Sequence, residues 1–445
     1  MATSITIVKM LRKVYFIASG ILALAACEQF RNAAPVAQPG AIEERGAGRT
    51  FAFQPEQRWG GPRYTRWEPV VAADPSSRWV YQMTTEQHPD RLLFRSSNDG
   101  GRTWSASRRI CRHAERVPFQ YDPQLAVAAD GTVDAVCLDG FSPGVVFSQS
   151  HDRGRSWSLP VRLDGSLRYS DKPTLALSPS GRDVYVAFNV RYALFVAASH
   201  DGGATWQAAI RATTRHFWYY SLGGTVAPNG SVWFAVDGED GRDQTGDGHV
   251  ELVTSADGGA SWRGIPFVVS HEGAPCRGKS CYPDFYTAQD AVAADSAGAY
   301  VFVYAQNRVP QGPNQLFVTR SRDGVRWSAP QTIASEGNST SPAIVAGPQA
   351  GDFRLVWQDN RLGPKSWNTW YAQSSDAGAR WSAPVRLSDA ASGAPYKNVT
   401  GYAFPFGDYL GLSVDSRGCS HVIWGEGAGV YYPGGTWWTR GPDCK

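Results

Sequence analysis

Seven times along the chain, apolar and polar residues alternate with a period of two in a run rich in β-branched and aromatic side chains: WVYQM from position 79, VDAVCL from 133, DVYVAF from 183, SVWFAV from 231, AYVFVY from 299, FRLVWQ from 353 and SHVIWG from 420. That period and composition predict strands with a buried face. A second recurring segment stands just upstream of each, an apolar stretch running into a turn: PVVAADP at 69, PQLAVAADG at 123, PTLALSPSG at 173, LGGTVAPNG at 222, DAVAADSAG at 290, PAIVAGPQAG at 342 and LGLSVDSRG at 410. Seven such starts, each feeding its own strand, predict seven antiparallel units in tandem.

A third string returns only six times: SNDGGRTW (97–104), SHDRGRSW (150–157), SHDGGATW (199–206), SADGGASW (255–262), SRDGVRW (321–327) and SSDAGARW (374–381). Its aspartates, Asp99, Asp152, Asp201, Asp257, Asp323 and Asp376, are separated by 53, 49, 56, 66 and 53 residues, a spacing suited to one four-stranded sheet per repeat. Gly supplies the positive φ of a tight hairpin, Asp accepts hydrogen bonds from the turn's own amides, and Trp covers the hairpin with apolar area. The string resembles the Asp box, S-x-D-x-G-x-T-W, of sialidases and other proteins with BNR repeats, and six copies make that resemblance specific. The fold expected is therefore all-β: a seven-bladed β-propeller with six Asp boxes over residues 49–445, with a six-bladed ring plus an accessory unit as the alternative. The seventh unit carries a strand at Thr436–Arg440 and no fourth strand after it. Thr50-Phe51-Ala52-Phe53 is expected to supply that strand and close the ring, leaving no open edge.

Ahead of the propeller, Lys9, Arg12 and Lys13 precede the apolar stretch 14–26, which has the charge and length of a secretory signal and is too short to span a bilayer. It ends in Leu24-Ala25-Ala26-Cys27, which resembles the bacterial lipobox. That resemblance implies that Cys27 is lipidated and anchors the chain to the cell membrane or outer membrane; a plain secretory signal is the alternative. Residues 1–26 then form the signal peptide, and 27–48, rich in Ala, Pro, Gln and Gly, a flexible tether. Of the 7 cysteines, those other than Cys27 are even in number, and in an exported chain they read as disulfides. Sequence proximity favours Cys111 with Cys137, Cys276 with Cys281, and Cys419 with Cys444. No CxxC pair or HExxH string points to a catalytic zinc. The net charge of +3, from 43 basic and 40 acidic residues mixed along the chain, argues against a nucleic-acid partner. The 17 tryptophans exceed what a core usually needs, an excess common in all-β proteins and on sugar-binding surfaces.

In a propeller, ligands meet the face formed by the loops that enter each innermost strand and those that join the second strand to the third. The Asp boxes belong to the third-to-fourth hairpins, on the opposite rim, where they act as staples; a calcium loop would need more closely spaced oxygen ligands. Aligning the seven starts puts Glu68, Asp122, Lys172, Ser221, Gln289, Ser341 and Tyr409 immediately before the innermost strands, at the channel mouth. Such a ring of polar groups is either a ligand site or an ordinary solvated entrance. Loops on the same face carry Arg191, Arg308 and Arg361, whose guanidinium forks match a carboxylate.

The sialidase resemblance implies three arginines on the substrate carboxylate and a tyrosine nucleophile with a glutamate and an aspartate as assisting base and acid, an exception among glycosidases. Carried onto this chain, it gives Tyr409 as nucleophile, with Tyr220 second; Glu68 or Glu239 assists, and Asp122 or Asp171 is the acid. Arg191, Arg308, Arg361, Lys172 and Gln289 would hold the sugar. Each of these also reads simply as a channel-lining polar residue. Where sialidases carry Arg-Ile-Pro, this chain has Arg66-Trp67-Glu68-Pro69, which moves the arginine by one residue and onto the other face of a strand. The loop DGEDGRDQTGDGH (237–249) offers Asp237, Glu239, Asp240, Asp243 and Asp247 as calcium ligands or as a solvated loop. No other cofactor or metal is expected.

The function expected is that of a cell-envelope lipoprotein whose propeller either recognises glycans or trims them, and if it trims them does so as an exo-glycosidase of sialidase type on acidic sugars. The alternative is a non-catalytic scaffold for envelope proteins. Partners are glycans or glycoconjugates, and the membrane through the lipid. Fold alone decides nothing here, because one fold hosts many functions.

Overall fold

An alternating strand needs its apolar face covered and its edges paired or kept short and protected, and four-stranded antiparallel sheets packed face to face in a closed ring satisfy both demands. The computed structural model describes residues 51–445 apart from 62–64, 88–90, 112–119, 141–143, 242–245, 274–286, 364–365, 389–396, 399–400, 403–408, 428–433, 443 and 445. It contains seven four-stranded antiparallel sheets and one two-stranded ribbon. No helix among the described residues is long and apolar enough to cross a membrane. The innermost strands of blades 1 to 7 are Arg66–Ala73, Gln120–Val127, Ser170–Leu177, Trp218–Val226, Asp290–Ala294, Ser339–Ala346 and Leu410–Val414. Each packs on the next and the seventh returns to the first. The architecture is a seven-bladed β-propeller.

The core lies between blades. Val136 and Leu138 of blade 2 pack with Val184, Val186 and Phe188 of blade 3, and Val303 of blade 5 packs with Leu355 and Trp357 of blade 6. The alternation seen in the second strands puts one set of side chains on each neighbour. Mainly apolar residues line the axis: the channel of about 150 Å³ is walled by all seven innermost strands, with Gly223, Gly224 and Gly411 among them and Tyr409 beside the last.

The Asp boxes of blades 1 to 4 are closed by the same bonds, while in blades 5 and 6 Arg326 and Arg380 stand where the others have a hydroxyl. In blade 3, Ser199 Oγ donates to Asp201 Oδ1 and accepts from Gly203 N, while Asp201 takes Thr205 N and Thr205 Oγ1 at 2.8 and 2.6 Å. Those bonds, the hydroxyl's first, hold Asp201 down at about 2, and Asp152 and Asp257 likewise. The glycine has a further role that the sequence did not reveal. At Gly154, with φ +80, a Cβ would stand 2.5 Å from the Phe94 ring of the preceding blade, and at Gly101, with φ +82, 2.6 Å from Trp438 of blade 7. The box is thus a staple between blades, not only within one. Gly154→Ala is expected to cost about 3 kcal/mol from left-handed backbone plus overpacking, read as a lower denaturant midpoint; loss of under 0.5 kcal/mol would mean the contact is slack.

Six boxes among seven blades follow from the closure. The seventh sheet is ordered with Leu410–Val414 innermost, then Ser420–Gly427, Gly434–Gly441 and finally Gln57–Arg58 from the start of the propeller. Its third and fourth strands are not joined by a hairpin, so no box exists there. The expected N-terminal closing strand is present, but not at 50–53. Gln57 pairs with Trp438 and Arg58 with Trp437, and outlying bonds run from Gln54 N to Arg440 O and Trp59 N to Thr436 O. Residue 50 lies outside the described residues. Phe51 and Phe53, which read as strand residues, instead turn their rings edge-on to Tyr371 of blade 6, because that seam offers an apolar slot.

Cys419–Cys444 ties the last strand's exit back to blade 7, and Cys111–Cys137 joins blade 1's exit to blade 2. Each closes about 25 residues and contributes roughly 3 kcal/mol. Cys276 and Cys281 lie outside the described residues.

Candidate functional site at the channel mouth

The mouth residues do not simply precede their strands. Glu68, Asp122, Lys172, Ser221 and Ser341 lie inside them, at register shifts between 67 and 70, 121 and 124, 171 and 174, 221 and 223, and 340 and 343. Four of them, each followed by proline, take left-handed backbone: Glu68, Asp122, Lys172 and Ser341 have φ 49 to 52. A bulge re-aims a side chain, and a strained backbone repeated at one end of the ring marks a place held against its preference, at about 1–2 kcal/mol each. Gln289 and Tyr409 stand just outside their strands, as expected.

These side chains form a chain of contacts from blade to blade. Tyr409 Oη donates to Asp122 Oδ1 at 2.8 Å. Lys172 Nζ lies 3.4 Å from the same oxygen and 4.8 Å from the centre of the Tyr409 ring. Glu68 Oε2 accepts from Asp122 N at 3.1 Å and Thr85 Oγ1 at 2.8 Å, so Glu68 orients Asp122. Gln289 Oε1 accepts from Thr340 Oγ1 and Ser341 N, stitching blade 5 to blade 6. Tyr409, Asp122, Lys172 and Glu68 are all at least nine-tenths buried.

Beside them, burial and then the charge of Asp122 push Asp171 up to about 7, against the pull of Lys172. Tyr220 is raised well above a phenol's usual value by burial and by Glu239, Asp171 and Asp237. A phenol bonded to a carboxylate with a lysine over the ring can lose its proton to that carboxylate as charge develops on oxygen. A neighbouring carboxyl that keeps its proton near neutrality can supply it elsewhere.

Each of the three arginines is engaged within its own blade. Arg191 lies over Tyr169 and Arg308 over Phe317. Arg361 lies over Trp370 and donates to Asp359, with Nη2 at 2.6 Å. Arg66 is also buried, bonded to Glu86 and to Trp59 O. The stretch expected as a 237–249 loop is a loop only over 240–247, since Asp237 and Glu239 end one strand of blade 4 and Gly248 and His249 begin the next, the two pairing across; Asp240 accepts from Asp247 N and lies 3.3 Å from His249, Asp247 accepts from Glu272 N, and Asp243 lies outside the described residues. Asp415, Cys419 and His421 form one cluster of metal-ligand type among the described residues. It lies on the Asp-box rim, with its sulfur in the disulfide and Asp415 bonded to Arg417.

Asp290 was not singled out from the sequence. The available signal was a carboxylate where four other blades begin their strand with proline. It is buried with one oxygen unpartnered, as is Asp237.

Residues 49–294 match the family described as BNR repeat-like domain. Comparison with curated proteins finds no match. Among solved structures, an ulvan lyase of a polysaccharide lyase family, bound to -[GlcA(1-4)Rha3S]-, has a TM-score of 0.52 at 13% identity over 85% of this chain and 95% of its own. An α-L-arabinanase from Penicillium chrysogenum scores 0.46 at 12% identity over 91% and 99%, and the NanB sialidase from Streptococcus pneumoniae 0.45 at 12% over 87% and 70%. At 13% identity the first of these is a likeness of fold.

Proposed function

The chain belongs to the BNR repeat-like domain family, and from that premise we propose that it is an envelope-anchored propeller that binds glycans at its channel mouth and cleaves a terminal sugar there. The observation that carries the reading is the bond from Tyr409 Oη to Asp122, with Lys172 over the same ring. In this reading Asp122 takes the phenol proton as Tyr409 oxygen attacks the anomeric carbon. Asp171 gives its proton to the departing sugar oxygen; water, deprotonated by Asp171, then attacks the anomeric carbon, the bond to the Tyr409 oxygen breaks, and Asp122 returns the proton to the phenolate. Lys172 favours the phenolate, and Glu68 positions Asp122 through its N–H. Gln289 holds the opposite side of the entrance.

Acidic sugars are the preferred class. Lys172 is at the mouth, and the exposed Arg191 and Arg308, with Arg361, lie on loops of the same face. The glucuronate-bearing ligand named for the ulvan lyase and a sialoside are therefore the first probes. Lipid at Cys27 would hold the site outside the membrane through residues 27–48.

The test is release of sugar from such a panel by the tether-free protein, together with glycan-array binding. Turnover lost in Tyr409→Phe supports the proposal. Binding without turnover reduces it to a lectin, and neither, with envelope proteins co-purifying, gives the scaffold. The pH profile adds a sharper check. Asp171 keeps its proton below about 7, so activity is expected to fall as pH rises through that value; in Asp171→Asn the acid is lost and the remaining activity no longer shows that limb. An unchanged alkaline limb would remove Asp171 from the reaction.

A further inference from the structure

We infer that the Asp-box rim between blades 5 and 6 binds a phosphate group through Arg320, Arg322 and Arg326. The three line one cavity of about 350 Å³, together with Trp327, Ala299 and, from blade 6, Ala377. Its origin is the blade 5 box, SRDGVRW, which is one residue shorter than the other five. Arginine follows its serine, where the other boxes have Asn98, His151, His200, Ala256 and Ser375. Arginine again precedes its tryptophan, where blades 1 to 4 have the hydroxyl that closes the box. No other box carries arginine at both positions.

The register of the hairpin gathers the three on one side. Ser321 and Trp327 bridge each other across it, which sets Arg322 opposite Arg326, and Arg320 stands two residues before Arg322 and so shares its side. Arg320 pairs with Val301, a residue of the core shared with blade 6, so the arginine side is the one turned to that blade. Arg322 and Arg326 are exposed and Arg320 is half-buried, which leaves them open to a ligand from solvent.

Like charges set opposite one another cost stability. Among the described residues none of the three guanidiniums makes a hydrogen bond or an ion pair. The surrounding acids are engaged elsewhere: Asp376 with Arg380 at 2.8 Å, Asp352 with Arg354 at 2.6 Å, and Asp295 with the amides of Ala297, Ala299 and Gly351. Asp323 is the one carboxylate in the wall, and its Oδ1 is taken by Ser321 Oγ, Val325 N and Arg326 N. Three guanidiniums against one carboxylate leave the cavity cationic, and guanidinium forks match phosphate oxygens. Trp327 gives it a fixed wall, its ring held edge-on by Phe267 at 5.3 Å.

The cavity's place on the ring indicates a source for the phosphate. Gln54 N donates to Arg440 O, and the Arg440 guanidinium reaches Gly100 O in the blade 1 box, so the chain enters the propeller from the Asp-box rim. A lipid at Cys27, on which this step alone rests, tethers that rim and not the mouth to the membrane. Lipid headgroups are then the first source of phosphate, and a soluble phosphate ester is the other. The cavity itself depends neither on the anchor nor on the glycan reading.

The test uses residues 49–445, the closed ring without its tether, in two arms: calorimetric titration with inorganic phosphate, and cosedimentation with phosphatidylglycerol or phosphatidylcholine vesicles. Saturable phosphate binding at one site is expected, with cosedimentation on phosphatidylglycerol alone and weaker at high salt. Arg320→Gln combined with Arg322→Gln and Arg326→Gln should abolish phosphate binding and weaken vesicle binding about 100-fold. Its denaturant midpoint should stay at or above the parent's, since facing like charges are removed. The same change at Arg109, Arg168 and Arg211, exposed on other blades, should leave both arms as in the parent. Phosphate binding without vesicle binding keeps the site and assigns it a soluble ligand, which counts against the anchor and not the cavity. No binding in either arm, or an equal loss in the two triple variants, would overturn the inference.

Discussion

Tyr409→Phe lowers turnover by about 10³-fold with little change in KM, if the mouth is where the sugar is cut. The substitution keeps the ring over which Lys172 Nζ sits at 4.8 Å and removes only the oxygen that donates to Asp122. Binding contacts to the ring survive, whereas the nucleophile is gone. A loss confined to the reacting state appears in kcat and equally in kcat/KM, and its size is that of a deleted positioned proton-transfer or nucleophilic group. Asp122→Asn should come close to the same loss, because the amide still accepts the phenol's hydrogen bond but no longer takes its proton. A Tyr409→Phe enzyme with full kcat would move the chemistry to Tyr220 or elsewhere.

The second large effect is on the ring. Trp438 is fully buried where the last strand meets the first: it pairs with Gln57 and with Ile423, and its ring meets that of Trp104 edge-on at 5.3 Å. Trp59, Val71 and Val80 complete the same cluster. Trp438→Ala therefore opens a cavity at the seam that no hairpin covers, and about 4 kcal/mol of unfolding free energy should be lost. Trp381, half-buried on the blade 6 box, should cost about 2 kcal/mol when truncated, because part of its ring already meets solvent. Denaturant unfolding of both variants checks the ordering; equal losses would mean that the closure is no weaker or stronger than any other blade junction.

Much of this was legible in the sequence for a physical reason. A strand with both faces packed against neighbouring blades must alternate or run apolar, so seven units stand out by period alone. Six boxes beside seven starts already implied that one blade closes differently. Local pattern misled where packing overrides it: Phe51 and Phe53 have strand propensity, yet their rings fill a slot against Tyr371 and leave the ladder to residues 54–59. The bulges were illegible because an inserted residue shifts parity without changing composition; the only trace was proline after Glu68, Asp122, Lys172 and Ser341. The arginines were found by position after the second strand, which says where a loop is but not what ring the guanidinium will lie on. Asp290 was hidden inside an otherwise ordinary strand start, since burial and lost partners are properties of the fold.

The most direct measurement is a crystal structure of the Tyr409→Phe protein with an acidic oligosaccharide bound. The account predicts a terminal sugar over the channel, its anomeric carbon facing position 409 and its ring in contact with Asp122 and Lys172. Sugar density on the Asp-box rim, or at the outer edge of a blade with the mouth unoccupied, would contradict it.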